Sequence, residues 1–288
     1  MKKSFLFFAI ASLSIMGCDK IELPNQPHTV VIPINDTIRR IFIEDFTGHI
    51  CQNCPKAARK LDSLKAAYPE RIIGMAVHID YFAGPCPPNP MPAGSIAGTF
   101  SEDFRTPENA DYESIYTCSN WSYPNGLINR IGLTPVAYDD WPTTAVTLLA
   151  DSMTAYIKIN PNYNSSSRTL NVSVTGEFLC DTTGTYNIAL YLVENGLHGS
   201  QVDITASGGI DNNYTFNEVL RGCINSPGTI SGQQISTPTN ITGHTPINYT
   251  SPAFNVSANF NAANCKIIAI LINNTDRGVL QAAECNLQ

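Results

Sequence analysis

Residues 41–80 run IFIEDFTGHICQNCPKAARKLDSLKAAYPERIIGMAVHID. Ile41 to Phe46 is an unbroken β-prone run, the pattern of a strand buried on both faces. Pro55 suits a first helical turn, and Ala58, Leu61, Leu64 and Tyr68 recur at helical spacing until Pro69 stops the helix. Arg71 to Ile79 is a second β-rich run, so the order specifies a βαβ crossover with parallel strands. Cys51 and Cys54 fall where the helix begins. Unpaired backbone N–H groups and the positive end of the helix dipole stabilise a thiolate there. The chemistry indicated is thiol–disulfide exchange, with Cys51 as attacking nucleophile and Cys54 resolving the mixed disulfide.

From Tyr81 to Tyr123 the pattern breaks into Pro, Gly, Ser and Asn. This stretch is too long for a simple loop and is expected to be an insertion, helical near Pro107–Tyr116. INRIGLTPVAYDDW (residues 128–141) follows, a strand led by Thr134-Pro135. Val146, Leu149, Met153 and Tyr156 then mark a last amphipathic helix after Pro142. Beyond Tyr156, Asn, Ser, Thr and Gly rise and helical periodicity ends. Leu170–Leu179, Tyr186–Val193, Tyr214–Arg221, Ala253–Phe260, Lys266–Ile272 and Val279–Glu284 have the character of strands, as in an immunoglobulin-like antiparallel β-sandwich. The expected organisation is an α/β domain over residues 38–156, with the insertion at 81–123, followed by an all-β sandwich over 157–288.

Lys2 and Lys3, the apolar run Phe5–Met16 and the ending Ile15-Met16-Gly17-Cys18 make residues 1–17 an export signal too short to span a bilayer. The ending resembles a bacterial lipobox, which makes Cys18 the lipidated residue and 18–37 a lipid-anchored tether; an ordinary signal peptide is the alternative. Losing Lys2 and Lys3 takes the formal charge from −7 to −9. An acidic chain without a basic stripe argues against nucleic acid. Export permits disulfides among the nine cysteines. Cys51–Cys54 is one pair, and Cys86 with Cys118 would close the Pro-rich excursion between them. A tight hairpin near Asn274–Asp276 would set Cys265 opposite Cys285, leaving Cys180 with Cys223. Sequence alone does not fix this connectivity.

Asp45-Phe46 four residues before Cys51-Gln52-Asn53-Cys54 resembles thioredoxin, and Gly132-Leu133-Thr134-Pro135 resembles its cis-proline loop. The resemblance implies a thioredoxin-like domain over residues 38–156. Asp45, buried behind the pair with a raised pKa, would accept a proton from Cys54; a capped or solvated carboxylate beside Glu44 is the alternative. Pro135, if cis, would leave the Thr134 backbone free to pair with a peptide substrate. His49 and Ile50 replace the aromatic approach of thioredoxin, and Gln-Asn stands between the cysteines, so the direction of exchange is open. A permanently closed structural disulfide is the competing reading. His49, Cys51 and Cys54 as zinc ligands lack a second CxxC or HxxxH to close the site. No metal or cofactor is expected.

The lipobox, EDFTGHICQNCPKAA, the Gly132–Val136 segment, YTFNEVLRG and KIIAILINNTDRGVLQAAE together resemble the outer-membrane-protein-28-related lipoproteins of Bacteroidetes. That resemblance implies an outer-membrane location and an unidentified protein or glycan partner. Two function classes stand. One is a lipid-anchored thiol–disulfide oxidoreductase of the cell envelope. The other is a surface binding protein or adhesin in which the CxxC is structural.

Overall fold

The computed structural model describes residues 38–288 apart from 226–228, 236 and 238. The signal, Cys18 and the tether lie outside the described residues. No helix among the described residues is long and apolar enough to cross a membrane.

The first half follows the expected order. Strand β1 (Ile41–Thr47) leads through the CxxC into α1 (Cys54–Ala67) and then β2 (Ile72–His78), parallel to β1 with Ile43 beside Gly74. The insertion carries α2 (Asn109–Tyr116), where a helix was expected. Then come β3 (Asn125–Ile128), antiparallel to β1, the two-residue β4 (Val136–Ala137) and α3 (Trp141–Leu149). Alternation along β1 sends Ile41 and Ile43 to one face, where they pack with Ala57, Leu61 and Leu64 of α1 and Trp141 of α3. Phe42 and Phe46 point to the other face, against Tyr112 and Tyr116 of α2.

The second half is almost all strand. It comprises β5 (Ala155–Asn164), β6 (Thr169–Phe178), β7 (Thr182–Thr183), β8 (Tyr186–Glu194), β9 (Leu197–Val202), β10 (Ile210–Phe216) and β11 (Val219–Cys223). These are followed by β12 (Gln233–Gln234), β13 (Asn240–Ile241), β14 (Pro246–Thr250), β15 (Phe254–Asn255), β16 (Cys265–Asn273) and β17 (Val279–Asn286). The run expected as one strand over Tyr214–Arg221 is two, because the chain turns at Asn217–Glu218 and Glu218 adopts φ 58°. The last helix stops at Leu149, and Tyr156 belongs to β5.

The expected boundary at residue 156 falls inside β5, and the main sheet does not respect it. Its order is β17-β16-β8-β11-β2-β1-β3-β4. Strand β11 lies beside β2 in parallel, with Val219 paired to Ala76 and the Ala76 N–H donating to Glu218 O at 2.8 Å. Strands from both halves therefore share one ladder, and the described residues form one compact unit. A second sheet of β5, β6, β14 and β15 covers β8 and β16: Ile157, Ile159, Val172 and Val174 meet Ile188, Leu190, Ile267 and Ala269. These two sheets share a common core. One of them, however, is the continuation of the CxxC sheet.

A buried charged network ties the halves together. Glu44, on the α2 face of β1, accepts from Arg130 Nε at 2.8 Å and Nη2 at 2.6 Å, and from Tyr112 Oη at 2.5 Å. Arg130 Nη2 also donates to Tyr191 Oη of β8, and Nη1 to Ile230 O, each at 2.9 Å. Burial disfavours the Arg130 charge, but the facing Glu44 overcomes this and holds its pKa well above the usual value. The network is closed on all sides, which is the condition under which buried charge is tolerated.

Candidate functional site

Cys51 and Cys54 are joined, with their Cα atoms 5.4 Å apart and Cys54 as the first residue of α1. Pro55 occupies the first turn, where a missing N–H costs no hydrogen bond. Asp45 follows Ile41 and Ile43 on the face of β1 that α1 covers, toward the helix end where Cys54 begins. Its carboxyl is 2% exposed, Oδ1 has no hydrogen-bond partner, and burial raises its pKa to about 8. At neutral pH this group keeps its proton.

The pair is covered. Cys51 is 3% exposed and Cys54 1%. The cover is the end of β9 and the residues just beyond it. Val202 N–H donates to His49 O at 2.8 Å and Ile204 N–H to Gln52 O at 3.1 Å. The Gln201 amide donates to Cys51 O at 3.0 Å, and Arg59 of α1 donates to Asp203 at 2.9 Å. On the other side Ile50 N–H donates to Phe82 O, and His49 Nε2 lies 2.8 Å from Gly84 O. Gly48 is required here, because a Cβ would stand 2.3 Å from the Phe82 backbone. Beside the pair lies a pocket of about 320 Å³ lined by Ile50, Phe82, Met91, Pro92 and Val202 among others.

The proline expectation is corrected. The Thr134–Pro135 peptide is not among the cis bonds of the described residues; these are Cys86–Pro87, Pro87–Pro88 and Tyr123–Pro124. Strand β3, which borders β1, starts at Asn125, paired with Phe46. Pro124 thus leads the strand beside the CxxC, whereas Thr134 and Pro135 precede β4 at the sheet edge. The run SYPNGLI held that signal, but a four-residue strand opening with the strand-poor Asn125 and Gly126 is a weak pattern beside GLTPVAY.

The further disulfides are also corrected. Cys86, Cys118, Cys180, Cys223, Cys265 and Cys285 are all free. Cys118 Sγ donates to Tyr112 O, and Cys86 Sγ to Pro90 O. The β16–β17 connection spans residues 274–278, which sets Cys285 opposite Ile267, so Cys265 and Cys285 do not face each other.

Sequence reasoning set aside His78, which the structure places next to Thr47 in the sheet, between the rings of Phe104 and Phe216. Burial, reinforced by His49 and Arg221, lowers its pKa to about 3. His49 is also held below the usual value, by burial foremost. Both rings are neutral at pH 7, so the CxxC loop carries no imidazolium to stabilise a thiolate. No group of three or more potential metal ligands occurs among the described residues.

A CxxC-headed helix between parallel strands, an X-Pro leading the antiparallel neighbour and a buried acid on the helix side define a thioredoxin-like α/β fold whose sheet continues into a β-rich half. The Outer membrane protein Omp28 family matches residues 109–288, and this chain belongs to that family of outer-membrane proteins. The match begins beyond Cys51 and Cys54. No curated protein matches the chain. Among solved structures, HBP35 of Porphyromonas gingivalis aligns with TM-score 0.62 and 14% identity, covering 88% of this chain and 76% of that one. Protein AGR_C_4864 from Agrobacterium tumefaciens aligns with TM-score 0.51 and 12% identity over 88% of this chain and 96% of that one. At such identities the likeness is one of fold. A domain of the outer membrane lipoprotein Omp28 from Porphyromonas gingivalis aligns with TM-score 0.30 and 17% identity, over 47% of this chain and 88% of that one.

Proposed function

We propose that this outer-membrane protein is lipid-anchored through Cys18 and carries out thiol–disulfide exchange on envelope polypeptides through Cys51 and Cys54. The observation that carries this is Asp45. A structural bridge needs no carboxyl on the strand face that its helix covers, and burying one with an unpartnered oxygen destabilises the fold. An exchange pair uses that group. A client thiolate attacks Cys51 Sγ, the Cys51–Cys54 bond breaks, and Cys54 Sγ leaves with the proton from Asp45. A second client thiolate then attacks the client sulfur of the mixed disulfide and releases Cys51 as thiolate, leaving the client oxidised and the pair reduced. The reverse sequence reduces a client disulfide, with Asp45 taking the proton from Cys54. Because β3 borders β1, Tyr123 takes the substrate-pairing role expected of Thr134, and Pro124 that of Pro135.

A second reading is favoured by the burial of Cys51 beneath residues 201–204: a surface binding protein or adhesin in which Cys51–Cys54 is a structural bridge and the β-rich half carries recognition. The reduction potential separates them. An exchange protein falls in the range of about −120 to −270 mV, whereas a structural bridge lies below about −300 mV. In the first case Cys51→Ala abolishes exchange with a dithiol client; unchanged exchange would sink the catalytic assignment.

A further inference from the structure

We propose that residues 201–204 are a resident strap occupying the site where the protein takes an extended segment of a client polypeptide, so that clients reach Cys51 by displacing it. The inference rests on the exchange function proposed above and names its substrate class and its gate.

The bonding pattern identifies the ligand type. In an extended chain the N–H groups of residues i and i+2 point the same way. Val202 closes β9 and Ile204 opens the turn that follows it, and their N–H groups meet the carbonyls of His49 and Gln52, on either side of Cys51. This is strand addition to a loop, in which backbone groups supply affinity and alternate side chains supply selectivity. The selectivity element is present as well. Val202 forms part of the wall of the pocket shared with Ile50, Phe82 and Met91, so an apolar residue fits at that position of the incoming segment. Any polypeptide able to extend and offer an apolar side chain there can reproduce the contacts of the strap.

The strap is built to detach without dismantling the core. Among the described residues, strands β9 and β10 pair only with each other, in a ladder whose register shifts between Asp211 and Tyr214. Their apolar underside, with Phe216, Leu197 and Tyr214, joins Phe104 and Val219 in a small cluster apart from the three larger ones. Ile204 at the strap end is 53% exposed. Beyond the backbone bonds, the fastening consists of the buried Gln201 amide and the Arg59–Asp203 ion pair, whose Arg59 side chain is half exposed. A segment with its own local ladder and no side chain in the three large clusters opens at lower free energy than the core.

The test uses the whole detergent-solubilised, oxidised protein and follows reduction of Cys51–Cys54 by dithiothreitol, trapping the thiols by alkylation. A fluorescent peptide with the sequence of residues 200–205, SQVDIT, serves as the extended-segment probe. Gln201→Ala/Asp203→Ala is expected to speed reduction at least tenfold, and the peptide to bind this variant and restore the slow rate. Arg59→Ala releases the clip from the α1 side, at an exposed position that tolerates substitution, and is expected to speed reduction severalfold. Equal rates in all three proteins, or faster reduction with no effect of the peptide, overturn the proposal. Failure of the exchange function has a different signature: opened variants that react quickly with dithiothreitol yet have the potential of a structural bridge.

Discussion

Replacing Asp45 with Asn should make the protein more stable at neutral pH, by an amount that depends on pH. In the unfolded chain Asp45 ionises near 3.8, and in the folded protein near 8. Between those values the unfolded chain has lost a proton that the folded one still holds. Stability from this group is therefore fully present below pH 4 and drains away as pH rises toward 8. Carried from 3.8 to pH 7 at about 1.4 kcal/mol per pH unit, the deficit is about 4 kcal/mol. Asn removes the titration but buries an amide, which returns about 1–2 kcal/mol of the gain, leaving a net stabilisation of about 2–3 kcal/mol at pH 7. Urea unfolding of the oxidised wild type and Asp45→Asn between pH 4 and 9 measures this directly. At pH 4 the variant should be the less stable by about 1–2 kcal/mol; the curves should cross near pH ~5 and diverge up to pH 8. Parallel curves, or a less stable variant at pH 8, would refute the assignment of Asp45 as a buried, desolvated acid.

The Glu44–Arg130 network should respond asymmetrically. Glu44→Gln or Arg130→Met alone leaves a buried charge unpaired and costs about 3–5 kcal/mol, while Glu44→Leu/Arg130→Met together costs less than either, as measured by denaturant unfolding. His78 gives the opposite pH signature to Asp45: its folded pKa lies at about 3, below that of the unfolded chain, so its contribution is intact above pH 6.5 and lost on acidification. His78→Phe should remove about 3 kcal/mol of the stability lost between pH 6.5 and 4, visible as a flatter acid limb in the same unfolding series. Thiol counting tests the cysteines: a maleimide applied to the native, unreduced protein should label exposed Cys180 first, and in denaturant all six of residues 86, 118, 180, 223, 265 and 285. Finding only the labels expected of three further disulfides would refute their free state.

The βαβ unit was legible because each of its signals is local. The Ile41–Phe46 run, Pro55 at the helix start and the spacing of Leu61 and Leu64 all act within a turn or two of chain, and the structure has β1, α1 and β2 where they indicate. The choice of proline failed because it depends on which strand borders β1, a long-range pairing that Thr134-Pro135 and Tyr123-Pro124 do not announce. The cover on Cys51 was invisible for a related reason. Gln201, Val202 and Ile204 lie some 150 residues from the CxxC, and their bonds engage backbone carbonyls, which any sequence supplies. The six free cysteines show the limit of composition: an even count permits bridges, but a two-residue offset in the β16–β17 register suffices to separate Cys265 from Cys285.

The insertion of β11 beside β2 has a consequence for how this chain can be cut. A fragment ending near residue 156 would retain the CxxC helix but lose β11, baring the main-chain groups along one side of β2. An unprotected border of that kind recruits strands from other molecules. A fragment beginning near residue 109 would carry α2, β3 and β4 without the β1 on which they are aligned. Neither piece is a self-sufficient folding module, so truncation is expected to yield aggregates. Point substitution in the intact chain is the way to separate redox chemistry from recognition.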